Sequence, residues 1–250
     1  YAQIWFDNRS KGTTIEIGLS SPPLNPARPN KPELVRAGEV PRRRPNTLNG
    51  QIAILHSIAH IELNAVDLHW DIIARFANIQ MPVGFYDDWV KSAQEESNHF
   101  NLICDCLEEL GSYYGDLTAH DGLWQAAIDT RDDLLGRLAV VPMVLEARGL
   151  DVTPNMIRLF EKAKLKNAVK ALKTIYEEEV SHVAYGSKWF NFLCGRNNLD
   201  PKIEFHRLVT KYFNGFLKPP FNEEKRADAG LPPDFYWPLA DQLNINTSYK

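Results

Sequence analysis

The 250-residue chain is 44% hydrophobic and 24% charged, with a formal net charge of −4. That is enough apolar material for one sizeable core, and too even a charge balance to argue for a nucleic-acid or lipid-headgroup partner. No apolar run approaches the roughly 20 residues that span a bilayer, the first ten residues lack a charged-then-apolar leader pattern, and the three cysteines are too few for a disulfide framework; no membrane role and a reducing cytoplasm are the expectation.

Residues 1–46 read as an extended arm and not a domain, because Pro22, Pro23, Pro26, Pro29, Pro32, Pro41 and Pro45 crowd the stretch and proline lacks the donor a helix interior needs. Arg42, Arg43 and Arg44 sit between two of these prolines and read as a solvated linker. Residues 47–217 read as a helical domain. Periodicity predicts long helices over about Leu48–Ile79, Tyr86–Leu110, Ile128–Ala147 and Asn167–Leu193. Pro82 and Gly84 separate the first pair, Gly111 closes the second helix, and Gly149 and Gly195 follow the third and fourth. Thr153–Pro154 has the N-cap and first-turn pattern of a short extra helix, and Pro201 opens a fifth helix to about Phe216. Lysines 162, 164, 166, 170 and 173 form a solvated face. Residues 218–250 read as a second proline-rich arm, which Phe235, Tyr236 and Trp237 should pack onto the body. The longest link, about Ser112–Ala127, joins the second helix to the third. The expected class is therefore all-α, a four-helix bundle with a long crossover and two extended arms.

Two Glu-x-x-His motifs carry chemistry: Glu96 with His99, and Glu179 with His182. Residues three apart share one helix face, so a carboxylate and an imidazole there reach the same ion. One such motif is a weak signal, but here the unit repeats. Glu62 precedes Glu96 by 34 residues and Glu146 precedes Glu179 by 33. Four helices thus offer four glutamates and two histidines, the ligand set of ferritin-like di-iron and di-manganese bundles. Helical phase places each carboxylate in an apolar stripe: Leu55, Ile58, Ala59, Val66, Ile73 and Phe76 around Glu62; Ile128, Leu135, Ala139, Pro142 and Met143 around Glu146; Leu172, Ile175, Tyr176, Gly186, Phe190 and Leu193 around Glu179. His56 and His60 fall off the Glu62 face and read as surface or packing histidines. His69 shares that face two turns away and reads as a hydrogen-bonded core histidine. Tyr176, one turn before Glu179, reads equally as a ligand support or a packing tyrosine. Pro142 should free a carbonyl and kink the third helix one turn before Glu146. Asp121 and His120 read as turn or capping residues.

The runs His60–Leu68, Ala119–Trp124, Leu145–Pro154 and Glu178–Gly186 resemble an uncharacterised ferritin-like family of unknown function over about residues 20–215. That family stands near the tRNA-modifying methylthio-isopentenyladenosine hydroxylases. The resemblance implies a di-metal bundle holding two iron ions, or manganese, or one of each. Within the wider class, ferritins usually lack the second complete motif present here. Ribonucleotide reductase small subunits carry Asp where this chain has Glu62 and a tyrosine where it has Ile103. Rubrerythrins add a cysteine-rich module, and multicomponent hydroxylases carry a hydroxyl residue at the position of Leu150.

The leading expectation is an oxidoreductase that activates O₂ or peroxide, a hydroxylase or oxidase acting on a small molecule or modified nucleoside. No flavin or iron–sulfur motif occurs, so an external electron donor is expected, and such bundles often pair as homodimers. The alternatives are a ferroxidase, peroxide scavenger or metal-handling protein, and a binding module with an inert metal site.

Overall fold

A computed structural model of the chain describes residues 1–13, 15–41, 43–213 and 216–240. All regular elements among them are helical; the extended segments contribute only the isolated bridges Leu34–Ala119 and Leu217–Ala240. No helix among the described residues is long and apolar enough to cross a membrane. Arg42 lies outside them, as do residues 241–250 of the expected C-terminal arm.

The chain forms two compact units, Tyr1–Trp124 and Gln125–Lys250. The first is built on a hairpin of two long helices, α2 (Leu48–Arg75) and α3 (Val83–Glu109), close to the predicted pair. Thr47 caps α2 by accepting from the Gly50 amide. Gly50 must be glycine, since a Cβ there would lie 1.9 Å from the Arg44 carbonyl oxygen. Gly111 ends α3 at φ +74°, and the Ser112 amide reaches back to the Leu107 carbonyl, which is the Schellman closure expected of it. Leu55, Leu68 and Ile72 of α2 and Phe85, Trp89, Ile103 and Leu107 of α3 are buried, each contributing about 1.5–3 kcal/mol.

Residues 1–46 depart from the expected arm at their start. Ala2–Ser10 form a helix, α1, tied to α3 by Trp5 and Arg9, whose indole N–H and guanidinium both donate to Asp87 at 2.8–2.9 Å. The prolines that dominate the reading begin only at Pro22. The proline-rich stretch itself is extended and stapled to α2. Arg75 donates to the Pro23 carbonyl, Arg28 to Asn64, and the Trp124 indole to the Leu24 carbonyl.

The second unit opens with the end of α4 (Gly122–Asp129) and α5 (Leu134–Val140). A π-helical segment, Val141–Glu146, follows, and α6 (Ala147–Lys162) continues from it. The expected break at Gly149 and the new helix at Thr153 are both absent. Leu150, Thr153, Ile157 and Phe160 form a buried stripe whose packing outweighs the roughly 1 kcal/mol cost of an interior glycine. Pro154 lies inside α6 and leaves the Leu150 carbonyl without its helical donor; the Asn222 side-chain amide supplies one at 3.1 Å. α7 (Lys166–Arg196) and α8 (Pro201–Tyr212) follow the reading, α8 ending a turn early.

The C-terminal stretch packs as expected but is partly helical, with α9 (Glu223–Asp228) and α10 (Pro233–Tyr236). Its anchor is Arg226, 2% exposed. Arg226 forks onto Asp151 at 2.7 and 2.8 Å and stacks between Phe221 and Tyr236.

Candidate metal centre

In the first unit, α2 presents Glu62 and α3 presents Glu96 and His99. All three are buried, at 4%, 0% and 0% exposure. Leu55, Ile58, Ala59, His69 and Phe76 around Glu62 are buried as expected, while Val66 and Ile73 are only half-buried. The His99 Nδ1 lies 3.2 Å from a Glu96 oxygen and 3.3 Å from a Glu62 oxygen. Burial alone would strip this imidazole of its proton. The hydrogen bonds and charges of the two carboxylates prevail and push its pKa up to about 11. Two carboxylates in a dry interior favour a positive charge beside them.

In the second unit the same motif recurs on α7. His182 is fully buried and Glu179 is 9% exposed, with His182 Nδ1 3.8 Å from the Glu179 carboxylate. Each Glu-x-x-His therefore turns the same ring nitrogen toward its own glutamate. Leu172, Ile175, Gly186, Phe190 and Leu193 around Glu179 are buried. Glu146 is half-buried and ends the π-helical segment. Pro142 within that segment has no amide proton, and a π-turn is one way a helix accommodates it. The expected third helix does not begin at Ile128, which belongs to α4 and is separated from α5 by a break before Leu134; Ile128 and Leu135 are half-buried, while Ala139, Pro142 and Met143 are buried. Pro142 also packs on Gly186, where a Cβ would fall 2.5 Å from the proline ring. This contact sets the spacing of the π-segment against α7.

The remaining histidines are structural. His56 and His60 are buried, not on the surface. His56 accepts from the Gly115 and Leu117 amides, and His60 bridges the Tyr114 hydroxyl and the His120 carbonyl. Both fasten the loop after α3. His69 is buried against the Trp89 ring at 5.2 Å. His120 accepts from the Gly122 amide, the turn role expected of it, whereas Asp121 pairs with the distant Arg28. The Tyr176 hydroxyl accepts from Asn222 at 2.6 Å, so it serves the C-terminal stretch.

Sequence reasoning missed Asp151, Asn222 and Arg226. A proline inside an unbroken apolar period, Pro154 between Leu150 and Ile157, was the available sign that a distant donor must cover a carbonyl.

The described residues thus define an all-helical protein whose two units each bury a glutamate–histidine pair. The chain matches a family model described as "Protein of unknown function (DUF455)" over residues 1–237, and it belongs to that family. It is 42% identical over 208 residues to an uncharacterized protein of Haemophilus influenzae, an alignment covering 81% of this chain and 72% of that one. No solved structure matches it.

Proposed function

We propose that this is a ferritin-like di-metal carboxylate protein and that it oxidises an organic substrate with O₂ or peroxide. What carries the reading is the repeated half-site. Glu62, Glu96 and His99 in one unit parallel Glu146, Glu179 and His182 in the other, each with the imidazole Nδ1 facing its own glutamate. The donor set fits the metals: four carboxylates offset two divalent cations, and carboxylate with imidazole suits iron or manganese. When bound, such a pair supplies the electrons that activate O₂ or peroxide, replenished by an external donor. The six side chains would hold the ions, while the buried Leu55 in the first unit and Ile175 and Phe190 in the second limit water around their own half-sites.

An organic substrate is favoured over simple metal handling by a cavity of about 200 Å³ in the second unit. Val144 and Leu145, the two residues before Glu146, line it together with Phe213 and Phe221. Arg148, Lys218 and Arg226 line it as well, and a mostly apolar space with a few charged groups serves an organic molecule.

The test has two parts. Elemental analysis of protein purified without added metal should give two iron or manganese ions per chain, and Glu146→Ala should lose most of them. The reduced, iron-loaded protein should then be oxidised by O₂ much faster than free iron. Metal contents far below stoichiometric, or full retention by Glu146→Ala, would refute the ligand set. Release of mineralised iron would favour a ferroxidase.

A further inference from the structure

The proline-rich stretch and α2 flank a second, open cleft, in the first unit and with no part in the half-site above. Its volume is about 170 Å³, and its walls include Pro22, Pro26, Trp70 and Trp124, with Asp67 and Asp71 contributing carboxylates. The walls are fixed. Arg75 donates to both Asp71 and the Pro23 carbonyl, and the Trp124 indole N–H is held by the Leu24 carbonyl. Asp71 is neutralised by the Arg75 fork at 2.7–3.0 Å. Asp67 differs, because it makes no hydrogen bond and no ion pair among the described residues, although it is half-buried. The nearby Arg28 is already engaged by Asn64 and Asp121. No cationic side chain lines the cavity.

A half-buried carboxylate with no hydrogen bond or ion pair of its own, drawn only at longer range by Arg28 and set among tryptophan and proline surfaces, is the complement of a compact organic cation. Its charge would meet Asp67 and its apolar shell would meet the rings. The volume suits one headgroup, since an apolar cavity of about 150 Å³ accommodates benzene. We propose that this cleft binds a small molecule bearing an alkylammonium or guanidinium group, with Asp67 as its counter-charge and Trp70 and Trp124 as its walls. Burial already holds the Asp67 carboxyl above the usual range, which a bound cation would reverse. The proposal is independent of the metal reading.

The probes are choline and its uncharged isostere 3,3-dimethylbutan-1-ol, titrated calorimetrically into the full chain at pH 8. Choline should bind saturably in the millimolar range, about tenfold or more tighter than the isostere, a difference one well-placed cationic contact supplies. Methylguanidinium should compete. Asp67→Asn should abolish the preference while leaving the helical circular dichroism unchanged. Equal binding of charged and neutral probes to the wild-type chain, or no heat with choline up to about 50 mM, overturns the proposal without needing any variant. Undiminished preference in Asp67→Asn also overturns it.

Discussion

Gly186 lies one turn beyond His182, and the place where its side chain would begin is filled by Pro142, 2.5 Å away. A single methyl group there must push α7 off the π-helical segment, and overpacking of this kind costs about 1–3 kcal/mol. The push is transmitted directly, because Pro142 precedes Glu146 by one turn just as Gly186 follows His182 by one. Gly186→Ala should therefore lower Tm by about 2–4 °C for each kcal/mol lost and reduce the iron or manganese retained after dialysis. Wild-type values for both would show that the helices slide apart without disturbing the ligands. At Asp67 the sign runs the other way. Burial, with the charges of Asp71 and Asp121, raises its pKa to about 6 against the favourable pull of Arg28. A carboxyl whose folded pKa lies above its unfolded value helps the fold below the unfolded pKa, near 3.8, and that help disappears as pH rises through 6. Asp67→Asn should thus gain on the order of 1 kcal/mol over wild type at pH 8 and little at pH 4, read from urea midpoints at the two pH values. A constant difference across that range would mean that the carboxyl is not strained by burial.

At the scale of elements, the C-terminal stretch is a brace for the helix that carries Glu146. Arg226 neutralises Asp151, whose side chain is fully buried, and its second nitrogen also reaches the Ala147 carbonyl at 3.3 Å. Removing one member of a buried pair strands the other charge, which costs about 3–5 kcal/mol. Arg226→Ala should therefore be severely destabilised, and the double variant Arg226→Met with Asp151→Leu should recover much of the loss. Thermal unfolding of the three proteins separates a stranded charge from a merely absent contact. A single variant as stable as wild type would refute the brace. This brace was invisible in the sequence, because residues more than seventy positions apart carry no local signal of their pairing. The long helices were legible, since amphipathic period and the glycine and proline punctuation agree over α2, α3 and α7. The helix through Leu134–Lys162 was misread at Gly149 and Thr153 because tertiary burial of Leu150, Ile157 and Phe160 overrides local breakers. α1 was missed because nine residues hold too short a period to stand against a long proline-rich neighbour. The candidate ligands were named from spacing and helical phase, and five of the six are buried while Glu146 is half-buried. Of the two readings open for His56 and His60, surface or packing, burial decides for packing; the choice was not legible because their partners are loop amides, a tyrosine and a carbonyl, which leave no pattern in a helix wheel.

At the scale of the whole molecule, the chain divides its candidate ligands between two compact units of similar length, each with one Glu-x-x-His and one further glutamate. Three side chains make a weak site for an ion that takes more ligands, so the proposed reading requires that the six act together. That requirement distinguishes it from two independent sites. If the ions are shared, Glu96→Ala in the first unit should empty both positions, and metal content should fall from two per chain toward zero. Independent sites would leave one. Metal should also stabilise the fold as a unit. At a free concentration about 100 times its dissociation constant a bound ion adds about 2.7 kcal/mol, a rise of about 5–10 °C in Tm for a chain of this size. The rise should be a single cooperative shift in wild type and should vanish in Glu96→Ala. A calorimetric trace in which metal shifts only one of two resolved transitions, with the other unmoved, would show each unit keeping its own ion and would dismantle the shared centre.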